Sequence, residues 1–271
     1  MLPSEIFREY DIRGVVGKDL TPEGARQLGE AYAAFLREQG STGPVVVGRD
    51  NRRSSPELAE AIQGGLLAGG YRVVDIGEVA TPIFYYARVL YGLDGGVMVT
   101  ASHNPPEFNG FKLAMGYGTI YGEQIQRVRE LAQQLTARPA GQPEVPTGSG
   151  PRPVAPSEGR EERDPVPAYL QMLREKIRLG PRRLKVVVDC GNGTMSGFAP
   201  RALEGWGCQV VPLYCQSDPT FPHHHPDPIQ PRNLVDLIAK VKEEKADLGV
   251  GYDGDGDRLG VVAEDGSIIW G

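Results

Sequence analysis

Strand-like and helix-like segments alternate along this chain, and the same order of them occurs twice. In the first half, Thr21-Pro22 opens a helix by a capping hydroxyl followed by proline in the first turn, and the helix runs to Gly40. Val45–Val47 is a buried strand, Ser55-Pro56 caps a helix to about Ala68, and Tyr71–Ile76 is the next strand. Thr81-Pro82 starts another helix, after which Gly96–Thr100 runs into a polar turn and Phe111–Ala114 returns as a short strand. In the second half, strand Lys185–Asp189 leads into the loop Cys190–Thr194 and a helix from about Ser196. Strand Gln209–Leu213, helix Asn233–Glu244, strand Asp247–Gly251 and a returning strand Leu259–Ala263 follow. Such repeats predict an α/β chain of two similar three-layer α/β/α domains with mixed, mostly parallel sheets, and ligands at the carboxyl ends of strands.

Between the halves, Thr136 to Arg160 holds six prolines and no apolar periodicity, which reads as a linker. The expected division is residues 1–140, a linker over 141–163, and a second domain over 164–271 that begins with a helix from Pro167 to Leu179.

Each half carries one distinctive loop after its third strand. The first is Thr100-Ala101-Ser102-His103-Asn104-Pro105, a hydroxyl in a tight polar turn. The second is Asp253-Gly254-Asp255-Gly256-Asp257-Arg258, three carboxylates at alternate positions. Like charges so close repel unless a cation neutralises them, and all-oxygen ligands favour magnesium, manganese or calcium over zinc. The triplet also opens the EF-hand pattern, with Glu264 falling at its twelfth position. However, the sixth position needs glycine and holds Arg258, and strand-like segments flank the loop on both sides. Ser-His adjacency suggests a hydrolase, yet the Gly-x-Ser-x-Gly elbow is absent. Asn109-Gly110-Phe111-Lys112 places a lysine on the strand returning from the serine. Beside a phosphate it would hold charge and, with a lowered pKa, move protons.

Phe7-Arg8-Glu9-Tyr10-Asp11-Ile12-Arg13-Gly14, Thr-Ala-Ser-His-Asn-Pro, Asn-Gly-Phe-Lys and Asp-Gly-Asp-Gly-Asp-Arg, in that order, resemble the alpha-D-phosphohexomutases, in particular their bacterial phosphomannomutase/phosphoglucomutase branch. The resemblance implies that Ser102 is a phosphoserine that donates and recovers a phosphoryl group. It implies that Asp253, Asp255 and Asp257, with an oxygen on Ser102 or its phosphate, hold one Mg2+. It also implies that Arg13 and Arg258 contact the phosphoryl group, and that His103 and Lys112 assist proton transfer with Tyr10 nearby. The implied reaction moves phosphate between O1 and O6 of a hexose phosphate substrate through a bisphosphorylated intermediate, with glucose 1,6-bisphosphate or a similar compound as activator. The family's third and fourth domains, which read sugar hydroxyls and grip the distal phosphate, have no counterpart in these residues. The chain is therefore expected to be a catalytic half, inactive or nearly so unless carboxy-terminal domains complete it, if need be in trans. The alternative is a non-enzymatic metal- or phosphosugar-binding module.

Other features read more simply. His223-His224-His225 sits among Pro222, Pro226 and Pro228, a rigid loop better suited to structural contact than to ligation. Gly48–Arg53 fits either a phosphate-binding basic loop or salt bridges against the serine loop. Cys190-Gly191-Asn192-Gly193 lacks the P-loop's Gly-Lys-Ser/Thr, so its glycines read as tight strand-to-helix geometry. A formal net charge of -6 argues against a nucleic-acid partner. No apolar run approaches the roughly 20 residues that span a bilayer, and the amino terminus lacks a basic segment leading into one, so no membrane partner and a cytoplasmic location are expected. Cys190, Cys208 and Cys215 read first as small core residues in a reducing cytoplasm, with a metal site or disulfide as the second reading.

Overall fold

The structure is a computed structural model that describes residues 2–137 and 159–270. The proline-rich stretch read as a linker lies mostly outside them. The first sheet comprises β1 (Ile12–Val15), β2 (Val45–Arg49), β3 (Val73–Glu78), β4 (Gly95–Val99), β5 (Phe108–Met115), β6 (Gly118–Thr119) and β7 (Arg160–Glu162). Its spatial order is β1-β5-β4-β2-β3-β7, with β6 paired to β5. Helices α1 (Pro22–Glu38), α2 (Ser55–Ala68), α3 (Thr81–Tyr91) and α4 (Glu123–Thr136) cover it.

The second sheet comprises β8 (Lys185–Asp189), β9 (Gln209–Leu213), β10 (Leu248–Tyr252), β11 (Leu259–Ala263) and β12 (Ile268–Ile269), in the order β12-β11-β10-β8-β9. Helices α5 (Val166–Lys176), α6 (Ala199–Gly205) and α7 (Val235–Glu244) accompany it. The two sheets share one layout. Parallel strands form one side (β4-β2-β3 and β10-β8-β9), and an antiparallel return strand then leads to the other edge. Both sheets are mixed, as expected. β1, β5 and β6 in one sheet, and β11 and β12 in the other, are joined antiparallel.

The valine runs explain the layers. In β2 alternate side chains point to opposite faces, so Val45 and Val47 enter the core under α1, α2 and α4 while Val46 enters the one under α3. In β8, Val186 and Val188 face one core and Val187 the other. Each such burial is worth about 1.5–3 kcal/mol, which is why a strand buried on both faces reads as an unbroken apolar run.

Several elements depart from expectation. Helix α4, unassigned by sequence pattern, packs Ile125, Val128 and Leu131 into the first core. Residues 160–162, expected to end the linker, pair with β3 and extend the first sheet, although all three are exposed. Thr21 caps α1 through a 3.1 Å bond from the Gly24 N–H, as its sequence predicts. Ser55 does not act as a cap but falls inside its helix, whereas α3 starts at Thr81 as its sequence predicts; the two hydroxyls bond to Asp50 and Asp255. A hydroxyl at the start of a helix can serve the helix or a site, and here the buried carboxylates take it.

Candidate functional site

Strands β4 and β10 occupy equivalent positions in their sheets, and both distinctive loops leave from their carboxyl ends. The loops meet across the domain interface. The Ser102 hydroxyl donates a 2.6 Å hydrogen bond to Asp253 Oδ2, a residue 151 positions away. Both are buried, Ser102 at 1% and Asp253 at 0% exposure.

Ser102 adopts φ 51°, the left-handed region that a residue with a Cβ seldom occupies. The surroundings hold it there. Its N–H donates to Thr100 Oγ1 at 2.9 Å, and its carbonyl accepts from Arg52 Nη2 at 2.8 Å. Arg52 is 1% exposed and also donates to the carbonyls of Asn104, Pro105 and Phe108. It is paired with equally buried Asp50 at 3.1 Å, and its guanidinium lies over the Phe221 ring of the second domain. Of the two readings for the Gly48–Arg53 loop, Arg52 follows the one that ties down the serine turn. Its neighbour Asn51 faces the other way and bonds to Thr194 Oγ1, the Asn192 carbonyl and Ser217 Oγ. Asn51 and Thr100 both stand in segments that the sequence singles out, but their tasks are not legible there, because the partners of Asn51 and the Asp255 carboxylate that Thr100 bonds are distant along the chain.

The aspartate loop approaches just as closely. A Cβ at Gly254 would lie 2.4 Å from the Ser102 carbonyl oxygen, so only glycine allows the two backbones to touch. Asp253, Asp255 and Asp257 offer ligand oxygens within 4.8 Å of one another. Burial, then the neighbouring charges of Asp255 and Asp257, push the Asp253 carboxyl well above the usual range. Burial also works against Asp255, but the charge of Lys112 and hydrogen bonds from Lys112, Thr81 and Thr100 hold its pKa at about 2. Lys112 Nζ sits 2.7 Å from Asp255 and 2.6 Å from Asp257. Burial opposes its charge, yet these two carboxylates outweigh burial and raise its pKa, contrary to the lowered value that proton transfer would need.

The remaining candidates divide. His103 Nδ1 lies 3.2 Å from Ser102 Oγ and 2.9 Å from Arg258 Nη1. Burial, reinforced by Arg258, lowers its pKa and favours the neutral imidazole. Arg13 reaches the serine turn through a 2.6 Å bond to Asn104 Oδ1 and pairs with Asp11. Tyr10 is 69% exposed, in the bend before β1. Two of the three adjacent histidines have partners in their own domain: His224 Nε2 pairs with Asp189 at 2.9 Å, and His223 bonds to Asn192 and stacks on Tyr214.

One observation tests whether a cation fits. Asp255 Oδ1 is buried and lacks a hydrogen-bond partner, although the other oxygen of that carboxylate takes three. A bare carboxylate oxygen among like charges suits a hard divalent ion, and the all-oxygen donor set agrees.

A strained serine and a carboxylate cluster, contributed by two α/β/α domains to one interface, thus define the site. Residues 4–138 match the phosphoglucomutase/phosphomannomutase alpha/beta/alpha domain I, and residues 167–266 match alpha/beta/alpha domain II. A phosphomannomutase/phosphoglucomutase of Pseudomonas aeruginosa is 46% identical over 269 residues, which covers 99% of this chain and 54% of that protein. A phosphoglucomutase of Neisseria meningitidis serogroup B is 43% identical over 266 residues, covering 98% and 54%. The crystal structure of a phosphoglucomutase/phosphomannomutase family protein from Burkholderia thailandensis superposes with a TM-score of 0.89 at 41% identity, covering 100% of this chain and 57% of that one. The chain belongs to the phosphoglucomutase/phosphomannomutase family. It spans about half the length of the curated relatives it matches. Among the described residues, no helix is long and apolar enough to cross a membrane.

Proposed function

We propose that this chain carries the phosphoryl-transfer machinery of a phosphohexomutase of the phosphomannomutase/phosphoglucomutase type, exchanging phosphate between Ser102 and O1 or O6 of a hexose phosphate. The observation that carries this reading is the 2.6 Å approach of the Ser102 hydroxyl to Asp253, made by two loops from separate domains. Phosphoryl transfer has a loose transition state, so positioning and charge neutralisation supply most of the catalysis.

Each residue then has a task. Ser102 carries the phosphoryl group, and the rigid turn held by Arg52 and Thr100 keeps its oxygen beside the Asp253 carboxylate. Asp253, Asp255 and Asp257, with an oxygen on Ser102 or its phosphate, would hold Mg2+, which supplies Lewis-acid neutralisation of the phosphoryl charge. Arg13 and Arg258 would receive the phosphoryl oxygens. His103, favoured neutral beside the serine, is the group placed to accept a proton from the attacking hydroxyl and to return it in the reverse transfer. Lys112, held protonated, contributes charge and orders the carboxylates when no phosphate is near. Tyr10 is assigned to contact with substrate, for which its exposed ring is free. A bisphosphorylated sugar would prime the serine, and the soluble sugar-phosphate chemistry fits a cytoplasmic enzyme.

Intact-mass analysis before and after incubation with glucose 1,6-bisphosphate and Mg2+ tests the reading. The chain should gain one phosphate, mapped to Ser102, and Ser102→Ala should gain none. Mutase turnover by the 271-residue chain itself should be slow, because binding energy from the substrate's distal phosphate normally positions the reacting one. Metal binding without phosphate uptake would instead make the chain a binding module.

A further inference from the structure

At the carboxyl edge of the second sheet, two thiols meet outside the phosphoryl-transfer site. Cys190 follows β8 and Cys215 lies two residues beyond β9, and these strands run parallel side by side. Their sulfurs are 3.2 Å apart. A disulfide requires about 2.05 Å, so closure needs a movement of only about 1 Å. Cys190 is fully buried, whereas Cys215 is partly exposed, so a small oxidant reaches Cys215 first. Cys208 is also buried but shares no hydrogen bond with either sulfur among the described residues.

We propose that Cys190 and Cys215 form a reversible dithiol–disulfide site that responds to peroxide. The Cys215 sulfur, as thiolate, attacks one oxygen of the peroxide and breaks the O–O bond. It becomes a sulfenic acid, and the released hydroxide leaves as water with the thiol's proton. The Cys190 sulfur then attacks the Cys215 sulfur, the S–O bond breaks, and a second water carries away the Cys190 proton. The two thiols are oxidised by two electrons in total and the peroxide is reduced to two waters. A dithiol reductant reverses the change by thiol–disulfide exchange. The roles follow exposure: partly exposed Cys215 meets the oxidant, and fully buried Cys190, its sulfur 3.2 Å away, is left to resolve the intermediate.

The cross-link would act on a loop with structural reach. Asn192 and Thr194, just beyond Cys190, accept from Asn51, and the Thr194 N–H donates to the Gly254 carbonyl in the aspartate loop. Oxidation therefore stiffens the platform on which the first domain docks.

The test treats the chain with a modest excess of hydrogen peroxide, quenches it in denaturant with an alkylating agent, and maps the peptides. Alkylatable thiols should fall from three to one, with a peptide joining Cys190 to Cys215 and Cys208 still alkylated. Dithiothreitol should restore all three, and Cys208→Ser should leave the cross-link yield unchanged. The proposal is overturned if all three thiols survive doses that oxidise the unfolded chain. It is equally overturned if Cys215 proceeds to sulfinic acid while Cys190 stays alkylatable. Both readouts come from the unsubstituted chain, so neither depends on a variant's folding.

Discussion

The serine loop and the aspartate loop leave equivalent strands of two similar sheets, yet they are held in opposite ways. The serine loop is fastened from within its own domain. Arg52 gathers four of its carbonyls, Thr100 takes the Ser102 N–H, and the reward is a nucleophile locked in a left-handed backbone. The aspartate loop depends on its neighbour. The side chains that quiet Asp255 are Thr81, Thr100 and Lys112, all from the first domain, and the Thr81 N–H also donates to the Asp255 carbonyl. A nucleophile needs a fixed direction, which one rigid domain can supply. A carboxylate cluster needs its repulsion offset, and here that comes from across the interface. The first domain is therefore the frame of the site, and the second is completed by docking onto it.

The largest expected effect tests the aspartate side. Asp255→Asn should weaken Mg2+ binding, measured by titration calorimetry, by about 100-fold or more, since loss of even a supporting group at a metal site costs 10–100-fold. Its thermal unfolding without metal should change far less, because the substitution also relieves repulsion with Asp253 and Asp257. Unchanged magnesium affinity would remove this cluster as the cation site.

Next in size is the frame itself. Arg52→Ala should lower stability by about 3–5 kcal/mol in urea unfolding, the range for stranding one partner of a buried ion pair. It should also slow phosphate uptake at Ser102 with Mg2+ affinity little changed. Arg52→Lys should recover part of the stability and little of the uptake, since an ammonium cannot match the planar fork that spans several carbonyls. If Arg52→Ala weakened metal binding as much as phosphate uptake, the two loops would not be held separately.

The smallest effect sharpens the account of the docking loop. Burial disfavours a charged His224, but the hydrogen bond and charge of Asp189 outweigh it and raise its pKa above 6.5. A raised histidine pKa contributes stability that is fully present below pH 6.5 and is lost as pH rises through the folded value. Thermal melts of the wild type and His224→Gln should thus differ by a few degrees at about pH 5.5 and converge toward about pH 9. A difference that grew with pH would mean that the Asp189 pair is not what holds His224.

Much of this was legible in the residues alone. The alternation of strand and helix signals predicts both α/β domains, and the valine runs mark strands buried on both faces. The Ser-His-Asn-Pro turn and the aspartate triplet announce their chemistry because three carboxylates at alternate positions are costly without a cation. The order of the motifs points to the family that the comparisons then show. Edges and short elements were less legible: α4 lacks a side-chain cap, and β7 is three exposed residues that become a strand only because β3 leaves an edge open.

What only the tertiary structure decided is pairing. Lys112 lies ten residues from Ser102, yet it binds Asp255 and Asp257, more than 140 positions away. Ser55 and Thr81 carry the local pattern of helix starts, and their hydroxyls serve buried carboxylates. Arg52 could have faced a phosphate, and it holds backbone carbonyls. In each case the residue type sets what the side chain can donate, and the chain's neighbourhood in sequence is silent about which acceptor is left unsatisfied nearby. A buried carboxylate or carbonyl without a partner costs about 1–3 kcal/mol or more, so the donors go where folding has removed water.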